Sequence, residues 1–181
     1  MVNKGQTREL FDSFAEDLLA EHNLRPMVIV GAAKVDDLLL EILRAFLLPR
    51  ITRHQDELLE GDSPLATFSS RIKICRRLGL VDETLYHALE RLRILRNLSA
   101  HSLSFDAATS PVRDHLSIFR ANITSRASYR LTKRRYFEGD SLSTIEECQC
   151  LLLNLCVLLE AIRLKIRPTT GNKRTLRIGA K

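Results

Sequence analysis

The stretch GDSPLATFSSRIKICRRLGLVDETLYHALERLRILRNLSAH, residues 61–101, decides the fold. It opens on a turn, Gly61-Asp62-Ser63-Pro64, and then changes to apolar residues at helical spacing. Thr67 or Ser69 is placed to open a helix running through Leu78. Gly79 stops it, because glycine takes the left-handed conformation that many helix ends adopt. Asp82 is placed to cap the next helix, from Glu83 to about Ala100. Leu85, Leu89, Leu92 and Leu95 form its apolar stripe, and Arg91 and Arg93 lie off it. A stripe of this kind needs other elements to bury it, and strand signals are scarce along the chain, so the stretch predicts an all-α bundle.

Outward from this centre the same spacing recurs. Thr7–His22 reads as a first helix with Thr7 as its cap and Leu10, Phe11, Phe14, Leu18 and Leu19 as its stripe. Asn23-Leu24-Arg25 breaks it, and Pro26 suits the first turn of a long apolar helix, Pro26–Leu48, which Pro49 ends. Gly31-Ala32-Ala33 permits close packing on that helix. Gln55–Leu59 reads as a short helical turn, and Ser110-Pro111 begins a short helix through Phe119. RASYRLTKRRYF, residues 126–137, is basic with interleaved aromatics and reads as a β-ribbon or an irregular loop. Ser143 caps a last helix, Thr144 to about Ile166, rich in Leu and Cys and ended by Pro168. The expected organisation is one domain over residues 1–167, with about five main helices, and a basic flexible tail over 168–181.

Composition narrows the function classes. With 181 residues, 45% hydrophobic and 28% charged, the chain is long enough to bury a real core. No apolar run reaches membrane-spanning length and the N-terminus has no signal-like apolar region, so a cytoplasmic protein away from membranes is expected. Cys75, Cys148, Cys150 and Cys156 lack zinc-site spacing and read as buried reduced thiols; neither metal nor other cofactor is expected. Asp37 and Glu41 share a helix face, where paired carboxylates can hold metal or move protons, but a solvated stripe is the simpler reading.

The formal charge of +6 is unevenly placed. Seven of the 28 Lys/Arg lie in residues 161–181, which hold no acid, leaving 21 against 22 acidic residues elsewhere. A second cluster is Arg126, Arg130, Lys133, Arg134 and Arg135. This cluster, with Lys173, Arg174 and Arg177 of the tail, forms the candidate contact set for RNA or DNA, since such groups release counterions from polyanions. The same residues also suit a solvated surface that binds nothing.

The central stretch ends in Arg96-Asn97-Leu98-Ser99-Ala100-His101. Asn97 and His101 are four apart and share a helix face. Arg96 and His101 are five apart, about 140° around the axis, so one straight helix does not aim both at one small ligand. They meet if the helix ends near Ala100, or if two copies face each other across a two-fold axis. Brought together, the His would transfer a proton, the Arg would clamp a phosphate, and Asn97 would orient either; that set suits metal-independent RNA cleavage. The alternative is ordinary: Arg96 pairs with an acid and His101 caps the helix end.

Residues 61–101 also resemble the mannitol-operon repressor (MltR) family. The similarity rests on Gly61-Asp62-Ser63-Pro64-Leu65, Phe68-Ser69-Ser70-Arg71-Ile72-Lys73, Leu78-Gly79-Leu80, Tyr86, Ile94-Leu95-Arg96-Asn97 and Ala100-His101. It extends over roughly residues 15–166, through Asp36, Asp37 and Leu38–Leu40 and the Leu-rich last helix. The Arg-Asn-x-x-x-His ending is similar to the HEPN group of helical proteins, many of them dimeric RNases of toxin–antitoxin or phage-defence systems. The first resemblance implies a non-enzymatic transcriptional regulator acting through a partner protein or nucleic acid. The second implies a homodimeric, metal-independent endoribonuclease with Arg96, Asn97 and His101 as catalytic residues and an antitoxin as a partner. No helix-turn-helix pattern is present, so a regulator of this kind is expected to work through a partner rather than by reading an operator.

Overall fold

Asn23 starts the helix around which the bundle is built: its side-chain oxygen accepts the Arg25 backbone N–H at 3.0 Å. The computed structural model describes residues 4–50, 56–139 and 141–166, with side chains from Glu9 onward. Among the described residues there are seven helices and no strand: α1 (Lys4–Ala20), α2 (Leu24–Phe46), α3 (Phe68–Arg77), α4 (Glu83–His101), α5 (Val112–Ile123), α6 (Ala127–Tyr136) and α7 (Thr144–Lys165). The main expected helices are α1, α2, α3, α4 and α7; α5, expected as a short helix, and α6 pack beside α4 and α7 respectively.

Helix α2 buries residues on more than one side, from Met27 and Val28 to Ile42 and Leu43, because α7 covers one flank and α4 another. Gly31 lets α2 lie close against α7: a Cβ there would lie 2.8 Å from Leu152 Cδ1, so only glycine fits without a shift. Helix α7 starts at a capping box made by Ser143 and Glu146, and every residue from Cys148 to Cys156 is buried. A helix apolar all round belongs at the centre of a bundle, and α1, α2, α5 and α6 surround this one.

Two polar side chains in that buried run are hydrogen-bonded to neighbouring elements. Gln149 Nε2 donates to the backbone oxygens of Leu18, Leu19 and Glu21, closing the carboxyl end of α1. Asn154 Nδ2 donates to Thr132 Oγ1 at 3.1 Å, joining α7 to α6. All four cysteines are free and buried, as expected. Burial pushes the thiols of Cys75, Cys148 and Cys156 up to about 12 and that of Cys150 to about 11.

Three expectations need correction. Residues 126–137 form neither a β-ribbon nor a loop: α6 is helical because Tyr129, Thr132 and Tyr136 recur at helical spacing and turn toward the core, leaving its arginines outward. Thr7 does not cap α1, which begins a turn earlier at Lys4. Helix α2 stops at Phe46 with Leu47 as its cap, ahead of Pro49. Gln55, Pro168 and the tail over 168–181 lie outside the described residues.

Candidate functional site

Helix α4 carries the Arg96–His101 segment and is continuous through His101. Asp82 caps its start, accepting the Leu85 N–H at 2.7 Å. Leu85, Leu89, Leu92, Leu95 and Ser99 face inward and fix the rotation of the helix. Arg96, next to Leu95, is therefore exposed, Asn97 is half-buried and His101 is exposed. Arg96 Nη1 donates to Asn97 Oδ1 at 3.2 Å, and Arg96 forms no ion pair among the described residues.

The cation at the carboxyl end of α4 is Arg25, not His101. Its Nη1 donates to Ser99 O at 2.9 Å, and its Nη2 donates to Ser102 O at 2.9 Å and Leu103 O at 3.1 Å. The guanidinium also sits 5.9 Å from the Phe105 ring centroid. Charge-assisted bonds to the last carbonyls suit a helix terminus, where the backbone is short of donors. They also hold α2 and α4 antiparallel, since Ile29, one turn after Arg25, comes beside Arg96 and Asn97.

That juxtaposition opens a cleft of about 460 Å³. Ile29, Ala32, Ala33 and Asp36 of α2 form one wall and Arg93, Arg96 and Asn97 of α4 another. The start of α3 contributes Thr67, Phe68 and Ser69. Thr67 and Ser70 make a capping box, so α3 begins where the sequence places its first candidate cap. Arg93 is tied to Glu90 Oε2 through Nη2 at 2.8 Å and Nε at 3.2 Å. His101 does not line the cleft. The structure thus brings Arg96 and Asn97 together and leaves His101 apart, because an unbroken helix keeps residues five apart on different faces.

Arg71 anchors this region and escaped the sequence reading. It is buried; Nη1 donates to Asp36 Oδ1 at 2.8 Å, Nε to Leu65 O at 3.1 Å and Nη2 to Leu59 O at 3.2 Å. One side chain therefore binds α3 to α2 and holds the preceding loop. Its signal was a charge aligned with Cys75 and Leu78 on the apolar face of α3. Arg25 offered no comparable signal, since its acceptors lie more than 70 residues away.

The basic cluster divides. Arg126 bonds Asp82 Oδ1 at 2.6 Å, and this bond holds the Asp82 carboxyl below its ordinary range. Arg135 pairs with Asp12 at 3.2 Å and lies over the Tyr136 ring. Arg130 and Arg134 are exposed, four apart on α6, and form no ion pair among the described residues, while Lys133 is half-buried. Lys173, Arg174 and Arg177 lie outside the described residues. Of the carboxylate pair on α2, Asp37 is exposed and Glu41 meets Arg163 at 3.3 Å. Among the described residues no group of three His, Cys, Asp or Glu could hold a metal, and no helix is long and apolar enough to cross a membrane.

No protein-family model matches the chain, and no curated protein matches it. Solved structures that share its fold include the following two. One is a possible transcriptional regulator, YggD, from Shigella flexneri 2a str. 2457T: TM-score 0.60, 17% identity, with the match covering 84% of this chain and 98% of that one. The other is MtlR in the MtlR–HPr complex from Escherichia coli: TM-score 0.57, 20% identity, with the same coverage of 84% and 98%. At these identities the likeness is one of fold.

Proposed function

We propose that the chain is a regulatory protein of the mannitol-operon repressor type, cytoplasmic and without enzymatic activity, which acts by docking a partner protein. The observation that carries this reading is the surface around the α2–α4 junction. Ile29 and Val30 of α2 are 40% and 47% exposed, and Leu103, just beyond α4, is fully exposed. Arg96 lines one cleft with Ile29, His101 lies two residues before Leu103, and Arg25 of α2 bonds the end of α4 across the junction. Apolar anchors rimmed by cations on a braced frame suit protein recognition. The similarity to MtlR, a protein solved with HPr, makes the HPr of the same organism the first partner to try. Titration calorimetry with that HPr is expected to give a complex weakened at least about tenfold by Ile29→Asp or Leu103→Asp. Absence of a complex, or one untouched by both variants, counts against the reading.

A second reading is a dimeric HEPN-type endoribonuclease. It is favoured by Arg96 and Asn97, which stand at an open cleft with no acid on Arg96. Because His101 faces elsewhere, this reading requires a homodimer in which a second copy supplies the His. Cleavage of mixed RNA in EDTA, lost in both Arg96→Ala and His101→Ala, would establish it; an intact RNA pool removes it. Exposed Arg130 and Arg134 would give contact with RNA or DNA that depends on salt more than on sequence. A gel shift discriminating an operator from random DNA by about 10³ or more would instead make the chain a direct repressor.

A further inference from the structure

The cleft between α2, α3 and α4 has more donors than acceptors, and its one carboxylate is already paired with a cation. Its carboxylate, Asp36, takes the Arg71 guanidinium at 2.8 Å. Arg93 is held by Glu90. The Thr67 hydroxyl is closed into its capping box. Arg96 is left with one partner, Asn97 Oδ1. A guanidinium only donates, so that contact fixes the Asn97 amide with its oxygen on Arg96 and its NH₂ free to donate. The Ser69 hydroxyl makes no hydrogen bond among the described residues. Three groups on two helices, one of them cationic, therefore line one cleft with N–H or O–H donors still open.

We infer that this cleft binds a small organic phosphomonoester. The phosphoryl oxygens would take Arg96, Asn97 and Ser69, and the organic group would lie against Ile29, Ala33 and Phe68. A tetrahedral group with three terminal oxygens suits three donors from two helices better than a planar carboxylate does. At about 460 Å³ the cleft has the volume of a small-molecule site, more than a lone oxyanion fills. The inference does not rest on partner docking: failure to bind HPr leaves it standing, and its own failure leaves docking untouched.

The test uses the full chain with phenyl phosphate, beside phenol, inorganic phosphate and benzoate at constant ionic strength, read by amide chemical shifts and calorimetry. Phenyl phosphate is expected to shift the amides of Ser69, Arg96 and Asn97. It should bind at least about tenfold more tightly than each of the other three. Arg96→Gln should weaken it at least about tenfold, and Ala33→Leu, which fills the cleft without changing charge, should do the same. Arg77→Gln, which removes an equal charge from the exposed end of α3, should leave it within about twofold. No binding, equal binding by Arg96→Gln, shifts confined to Arg130 and Arg134, or benzoate binding as tightly would each overturn the inference.

Discussion

Replacing Arg71 with Met tests the scaffold beneath the cleft. The Arg71 side chain is only 10% exposed and makes three hydrogen bonds, two of them to the backbone carbonyls of Leu59 and Leu65. Hydrogen bonds from a charged group contribute about 1.5–3 kcal/mol each, and an acceptor that loses its donor in a buried setting costs more than one that water can reach. Leu59 is buried and Leu65 half-buried, so the first carbonyl loses more. The Asp36 partner is 29% exposed and can be rehydrated, which holds the ion-pair contribution to about 1 kcal/mol. Met replaces much of the apolar stem, so packing loss stays small. The net expectation is a loss of about 3–4 kcal/mol for Arg71→Met, near the range for breaking a buried pair. Arg71→Lys, which keeps the charge but only part of the fork, should lose about 2 kcal/mol. Urea unfolding followed by circular dichroism gives these values, and a cycle with Asp36→Asn should return a coupling of about 1 kcal/mol. Amide exchange should rise over residues 56–66 before it rises in α7. A loss below about 1 kcal/mol for Arg71→Met, or unchanged exchange in that loop, would refute the reasoning.

Other outcomes follow from the same bonds. Arg25→Ala removes three charge-assisted bonds from the end of α4; it should cost about 1–2 kcal/mol and speed exchange of the Ser102 amide, which bonds Leu98 O, ahead of the rest of the helix. Asn154→Leu strands the Thr132 hydroxyl at a buried contact and should cost about 1–3 kcal/mol in the same urea assay. With thiols raised to about 11–12, the native chain should resist a thiol reagent at pH near 8 and release all four groups only on unfolding; fast labelling of any one would place it outside the core. Burial, and then Arg91 at 3.4 Å, lower the pKa of His115, so the unfolded chain takes up its proton first as pH falls. Stability should therefore be intact above the ordinary value of 6.5 and decline below it, ahead of the carboxylate range; His115→Gln should flatten that decline.

Legibility followed the range of the forces involved. The starts of α3, α4 and α7 were readable because Thr67, Asp82 and Ser143 each satisfy an N–H three residues on, and the end of α3 because Gly79 has a φ of 70°. Helix α6 was not readable. Its inward face is Tyr129, Thr132 and Tyr136, polar enough to look like surface, and Thr132 is made compatible with burial by Asn154, 22 residues later. The sequence likewise supplied Arg96 and Asn97 for the cleft, but not α3's part in it. That part depends on Arg71 reaching back 35 residues to Asp36.

The fate of the Arg96–His101 pair turns on one distant side chain. A helix that ended before Ala100 would let His101 swing toward Arg96, and a single chain would then hold together both groups that the nuclease reading needs. Arg25 opposes that ending: it bonds the carbonyls of Ser99, Ser102 and Leu103, contacts that hold the chain in place on both sides of His101. With the turn held helical, Arg96 stays at the cleft and His101 stays about 140° around the axis. RNA cleavage within one chain is therefore disfavoured by the same contacts that brace the α2–α4 surface proposed above to dock a partner. Arg25→Ala separates the two uses proposed for this end of α4. It should weaken a docked partner by loosening the frame, while any RNA cleavage it gained in monomeric form would show that the cap had been holding the two residues apart. Cleavage by the unaltered chain at concentrations where it is monomeric would contradict this geometry outright.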